Sequence, residues 1–527
     1  NAEPVDTVTL SGGGLSWGNL TANSIDLQSG SFNANGTVTS ASIAKTTAGT
    51  VIMGGTMAAP GGISVSAGSL DIAGNLTAPV TNNATLNVNA GSLNGAVVNN
   101  GTMTSSASLT GTLVNNGSLT LDGGSTACDI SGPNGVTIPG SAFLYMAGTN
   151  SYGGGTAVGA GSIVYARTSA VQGNWSLASA ATEVTFSQVA PGTTAASFSG
   201  GGSVALESNN IQVDLTGAST HTGGVNVRFG SHLGIGHNSA LGTGTLTLDQ
   251  NANSKITAVG GTRTVANALQ FSTGDIEFTG TNHLAFTHTG AKQLSGNGSI
   301  VHNSAGITSM AGTFLGQNTT NIDVNTGTLV LGAAVNNGFR MDGAINVASG
   351  ATLQMISNSP VKLGPTSLAG GTLIAVNGVA VPTGLALTAD GTIQGRVSSE
   401  AGSLIEATGS LTIGDSTSFA GFFSNGELRT QQHSVTLLDK NQAVLGSLTE
   451  VGTSSLTGVV TASNGVFVDF GRAITGWGTV NGINALANAS IINGDAAGSS
   501  SSQPLDFTGY VKGAGTFTDV TFSGTFS

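Results

Sequence analysis

Few residues in this 527-residue chain carry groups suited to chemistry, and their spacing limits what they can do. Gly14, Leu15, Ser16, Trp17 and Gly18 match the nucleophile elbow of hydrolases, a strained strand-to-helix turn that presents a serine hydroxyl for acyl transfer. A chain so rich in glycine and serine produces such pentapeptides by chance, and its composition offers no helix to complete the turn. Asp275 and Glu277 share one face of an extended segment, with His283 and His288 shortly after. Six of the seven histidines (His221, His232, His237, His283, His288 and His302) fall within about 80 residues. Carboxylates on adjacent coils beside a basic group could act on a polysaccharide or cage calcium, and converging imidazoles could hold a metal. The acidic residues are too sparse and scattered for this, so outward polar positions that happen to be histidine are the plainer expectation. No catalytic residue, metal site or cofactor is expected. Cys128, the single cysteine, cannot form an internal disulfide or a multi-thiolate centre, and is expected to be a small buried hydrophobe.

The elements that would position these groups follow from composition. Eighty-three glycines with abundant serine, threonine and asparagine disfavour long helices. Only 7% of residues are charged, so hydroxyls and amides must cover most of the surface. An apolar content of 39% and a mean hydropathy of +0.21 provide for a core and exclude a disordered linker. Ten prolines without a strict glycine period exclude collagen. The net charge of −12, with no basic run, argues against nucleic acid and anionic membrane as partners. No apolar run is long enough to insert in a membrane as a helix. The start, Asn1 to Asp6, is neither basic nor apolar, and reads as the end left after a signal peptide is removed.

Repeats define the architecture. Val98, Asn99, Asn100, Gly101, Thr102 and Met103 recur as Val114, Asn115, Asn116, Gly117, Ser118 and Leu119. An earlier copy runs from Thr81 through Asn82, Asn83, Ala84 and Thr85 to Leu86, and a fainter one comprises Val335, Asn336, Asn337 and Gly338. Short alternating runs such as Ala84–Val88 and Ser118–Leu121 lie between the turns. A short strand, a Gly or Asn corner and a return after about 16 to 25 residues make one coil of a β-solenoid, in which parallel strands stack about 4.8 Å apart. The length corresponds to about 26 coils and a rod on the order of 125 Å. A row of β-sandwiches would call for proline linkers and periodic aromatic cores, and aromatics make up only 5%.

Residues 419–450 break the texture, with Phe419, Phe422, Phe423, Glu427, Arg429, His433, Asp439 and Lys440 close together. The alternation around Asp439, Lys440 and Asn441 predicts a β-hairpin or an enlarged coil. The expected organisation is therefore solenoid coils over 1–418, this charged and aromatic insertion over 419–450, and further coils over 451–527. Phe419, Phe422, Phe423, Arg429 and His433 are the candidate partner-binding residues.

Several segments resemble extracellular bacterial repeats. Thr149, Asn150, Ser151, Tyr152, Gly153, Gly154, Gly155, Thr156, Ala157 and Val158 resemble the passenger-associated strand repeat of autotransporters, as does the run from Ser219 to Val227 that continues through Asn238–Leu246. The run from Gly426 to Leu448, and Phe467–Gly482 with Asp469, Phe470, Gly471, Arg472, Gly476, Trp477 and Gly478, are similar to a module of secreted, surface-sorted (PEP-CTERM-like) exoproteins. The resemblance implies an all-β, right-handed parallel β-helix outside the cell, and brings no catalytic residues. The sequence has neither a translocator barrel nor a sorting tail.

At the start, Val5, Val8 and Leu10 lie in an alternating strand, and at the finish Val520, Phe522, Gly524 and Phe526 line one strand face. Neither terminus shows a capping pattern. The expected role is an extracellular structural subunit that adds head to tail into a homopolymer by strand addition, with Val5, Val8, Leu10, Val520, Phe522 and Phe526 at the contact. An adhesin stalk that binds a glycan or a cell surface is the alternative, and a polysaccharide lyase or hydrolase a more distant one.

Overall fold

The computed structural model describes residues 5–248, 253–271, 274–290, 298–312, 317–318, 320–332, 340–414, 421–452, 456–469, 471–481, 490–494, 505–507, 515–518 and 520–522. Val335–Gly338, Phe419 and Phe526 lie outside these residues. Among the described residues there are strands, turns and bends and no helix. Every strand pair described runs parallel, with partners about one coil apart in sequence, which makes the fold a parallel β-solenoid of about 22 turns. The expectation of 26 coils was high because many coils exceed 20 residues. The contacts divide the chain into two compact units, Asn1–Thr247 and Leu248–Ser527.

In the first unit, alternation along each strand becomes a column across coils. Val8, Ile25, Ile43, Ile63, Val80, Val97, Leu113 and Ile130 are in direct register from coil to coil. From Ile25 onward these side chains are buried. Each such side chain contributes roughly 1.5–3 kcal/mol by leaving water. A second column runs through Val51, Leu70, Leu86, Met103, Leu119, Val136, Thr156, Trp175 and Phe198. It ends with two large rings, those of Trp175 and Phe198, 6.4 Å apart. One column contains a lysine: Leu10, Leu27, Lys45 and Val65 are in register, and Lys45 is fully buried. Its aliphatic stem fills the column while the ammonium donates to the carbonyls of Thr47 and Ala67, and burial holds its pKa below the ordinary lysine value.

The second unit follows the same rule, most of its coils having register offsets of about 18 to 25 residues, with one of 27 between Val480 and Phe507 and one of 15 between Phe507 and Phe522. Ile276, Ile300, Ile322, Ile345, Thr366, Leu387, Ile405, Leu428, Thr449 and Ile474 form one buried column. Residues 421–450 join this stack rather than forming a hairpin of their own. Phe422–Ser424, Glu427–Arg429 and Ser434–Leu438 each pair in parallel with strands of the coils before and after, and not with one another as a hairpin would require. The aromatics read as an insertion therefore include ordinary core residues.

The Val-Asn-Asn-Gly repeat builds the corners. Asn82, Asn99 and Asn115 are fully buried, and their amides form a ladder: Asn82 Nδ2 donates to Asn99 Oδ1 at 2.7 Å, and Asn99 Nδ2 to Asn115 Oδ1 at 2.9 Å. The same amides donate to the corner carbonyls of Thr102, Ser118 and Gly135. The second asparagine of each repeat forms a solvent-facing ladder, in which Asn100 donates to Asn83 and Asn116 to Asn100. Gly111 permits a close approach between coils, with φ of 97° and a would-be Cβ only 2.3 Å from the Gly95 carbonyl oxygen.

Candidate functional site

The residues singled out for chemistry serve mostly structural roles. Ser16 lies inside the strand Val5–Trp17, in register with Asn33, so it is not on the turn that a nucleophile elbow requires. Asp275 accepts a hydrogen bond from the Ser299 backbone N–H at 2.7 Å. Glu277 faces Lys255 at 3.4 Å and accepts from the Asn303 amide. His221 is fully buried, shares a 3.1 Å hydrogen bond with the Gly224 carbonyl and packs edge-on against Phe198. His302 is equally buried, held by the Thr326 carbonyl at 2.7 Å and the Thr308 hydroxyl at 3.0 Å. Burial lowers the pKa of both imidazoles. His283 accepts from the Ile307 N–H through Nδ1, and His237 pairs with Ser239. Among the described residues no three His, Cys, Asp or Glu side chains converge as a metal site would require. Cys128 is buried and free, its thiol pushed up to about 12 by desolvation.

The candidate partner-binding residues of 419–450 are dispersed. Phe422 is buried in the core, which removes it from any contact surface, while the next residue, Phe423, is partly exposed. Arg429 pairs with Glu427 at 2.7 Å and lies 3.9 Å from Glu450. His433 occupies a half-buried turn, its N–H bonded to the Thr430 carbonyl. Asp439, expected in an exposed turn, is buried. It accepts from the Phe422 N–H, and desolvation raises its pKa. At the start, Val5 is exposed, Val8 half-buried and Leu10 buried. Near the finish, Val520 is half-buried, and Phe522 holds a strand position in register with Phe507.

The surface feature best suited to contact is in the first unit. Phe143–Met146, Ile163–Ala166, Glu183–Phe186 and Ser203–Leu206 are consecutive parallel strands. Inward positions such as Leu144, Val164, Val184 and Val204 form the core. The alternate positions make two further columns: Phe143, Ile163, Glu183 and Ser203 in one, and Ser125, Tyr145, Tyr165, Thr185, Ala205 and Asn226 in the other, of which Ser203, Thr185 and Ala205 are buried. Phe143 and Tyr145 are 49% and 47% exposed, far more than aromatic rings in a core. Their arrangement is ordered: Tyr145 and Tyr165 stack with centroids 5.2 Å apart and planes 23° from parallel, and Phe143 meets Tyr145 edge-on at 5.2 Å.

Charge adjoins this step. Arg228 donates to both oxygens of Glu183, at 2.8 and 2.9 Å, and to Glu207 at 3.0 Å. Thr185 and Ser203 hydroxyls also donate to Glu183. Partial burial and the neighbouring Glu207 carboxylate raise the Tyr165 pKa, keeping its hydroxyl a neutral donor. A cavity of about 270 Å³ opens beside the rings, lined by Ser125, Tyr145, Tyr165, Arg167 and Ser187 among others. Sequence reasoning missed this face, although a signal was present: Phe143 and Ile163, and Tyr145 and Tyr165, are each 20 residues apart, one coil length. Compared with known proteins, the chain matches no family model, no curated protein and no solved structure.

Proposed function

We propose that this protein is a non-catalytic structural or adhesin-like scaffold that works outside the cell, its stacked coils holding an outward contact face at Phe143, Tyr145, Ile163 and Tyr165. The exposed aromatic step carries this reading, because ordered, water-facing rings on a rigid sheet lose little entropy on binding and offer large apolar area. The use of buried histidines and asparagines in coil-to-coil hydrogen bonds supports a structural role for most of the polar inventory. Beads coated with the purified chain should be retained by at least one surface in a panel of immobilised polysaccharides, glycoprotein and lipid. The F143S/Y145S/Y165S variant should be retained less. Retention by none of these surfaces, in a chain that also stays monomeric, would overturn the reading.

A second reading, self-association by strand addition, is supported by the register of Val5–Trp17. Val8 stands in line with Ile25 and Ile43, and the Thr7 and Ser24 hydroxyls meet at 3.0 Å, a ladder that a strand added from another copy would repeat. Sedimentation velocity over a concentration series tests it. Growing oligomers that disappear when Asn1–Leu10 are removed are expected, and a monomer at every concentration contradicts it.

A further inference from the structure

We infer that the Tyr145–Tyr165 step is a carbohydrate-binding site for a neutral chain of gluco-configured pyranoses; this rests on the contact-face reading above. The step arises from side-chain size along one column. Tyr145 and Tyr165 stack on each other, so one face of each ring is covered by the other. Ser125, which precedes Tyr145 in register, is exposed and too small to cover the remaining face of that ring, whereas Thr185, which follows Tyr165, is fully buried. Tyr145, 47% exposed, therefore presents an aromatic face along the stacking direction, backed by the half-buried Tyr165.

Gluco-configured pyranoses place their hydroxyls equatorially and their C–H bonds axially, which gives each ring flat, weakly positive faces suited to the negative face of an aromatic ring. Their equatorial hydroxyls then require donors and acceptors in the plane around the ring. Both are present. On the Thr185 side stands the carboxylate of Glu207, fixed in place by Arg228, while Glu183 already accepts from Arg228, Thr185 and Ser203. The cavity beside the rings provides the hydroxyls of Ser125 and Ser187, on the coils before Tyr145 and after Tyr165, and the cation of Arg167 between them. Locking the carboxylates in a charge-assisted network preorganises them, so little entropy remains to be lost on binding. The edge-on contact of Phe143 with Tyr145 likewise limits ring rotation.

A neutral glycan is favoured over an acidic one by charge. Arg228 with Glu183 and Glu207 sums to −1, Arg167 brings the site to about neutral, and the whole chain carries −12, which repels a polyanion at low salt. A peptide ligand would use the same aromatic area but has no need of the hydroxyls and carboxylate grouped beside the rings.

Isothermal titration of the intact chain with cellohexaose, laminarihexaose and polygalacturonate tests the site. Binding of at least one neutral hexasaccharide is expected, with polygalacturonate weaker at low salt. Tyr145→Ala and Tyr165→Ala should each weaken binding by about fivefold to tenfold. Tyr165→Phe should retain most of it, and Val376→Ser, at an exposed side chain of the other unit, should leave it unchanged. Tyr145 is exposed, so circular dichroism and the melting temperature of Tyr145→Ala should stay at wild-type values, and Tyr165→Phe gives a readout if Tyr165→Ala, at a half-buried ring, fails to fold. No binding of either neutral hexasaccharide, or equal binding by wild type and both alanine variants, overturns the inference. If the chain is retained by the glycoprotein or lipid surface but binds neither hexasaccharide, the scaffold reading survives and the carbohydrate assignment falls.

Discussion

A single buried imidazole shows how this fold uses polar residues. His221, an outward polar position on the sequence reading, instead faces inward, its ring beside Phe198 and bonded to a corner carbonyl. Because burial depresses its pKa, the folded protein resists a proton that the unfolded chain accepts. The stabilisation is present above the ordinary imidazole value of about 6.5 and is lost as pH falls through and below it. Melting temperatures measured at pH 7.5 and pH 5 should therefore differ more for wild type than for His221→Phe, which keeps the ring contact and has nothing to protonate. An equal drop in both would mean that His221 does not contribute. This role was not legible in the sequence, since a histidine looks the same whether it faces solvent or the core, and only the coil register decides which.

At the scale of the element, the corner is the unit that the sequence announced most clearly. Val-Asn-Asn-Gly at offsets of about one coil marked the turns, and the alternating runs between them became the strands. What spacing alone did not reveal is the division of labour between the two asparagines, one buried and one facing water. Replacing Asn99 by Ala removes the acceptor for Asn82 Nδ2 and the donors to Asn115 Oδ1 and the Ser118 carbonyl. Buried groups left without partners should cost about 2–4 kcal/mol. Asn100→Ala, in the exposed ladder where water replaces the lost partner, should cost under about 1 kcal/mol. Urea unfolding followed by circular dichroism checks the contrast, and equal losses would contradict it. At this same scale, of the hairpin and the enlarged coil that residues 419–450 suggested, the pairing excludes the hairpin. Phe422 and Asp439 face inward, because clustering in sequence does not record which face a side chain takes.

For the whole molecule, the all-β solenoid was legible from composition and repeat spacing, because few other architectures accommodate so much glycine, so little charge and a return every 16 to 25 residues. The aromatic face was not, because its residues come together only when successive coils are aligned. Both units are stacks in which each coil is held by its neighbours, through apolar columns and amide ladders, so perturbations should stay local. Hydrogen–deuterium exchange of Asn99→Ala against wild type tests this most directly. The account predicts faster exchange in the strands around Asn82, Asn99 and Asn115, with protection unchanged at Ile322, Ile345 and Ile405 in the second unit. A uniform loss of protection across both units, or no change near Asn99, would contradict the picture of a scaffold whose polar side chains join coil to coil.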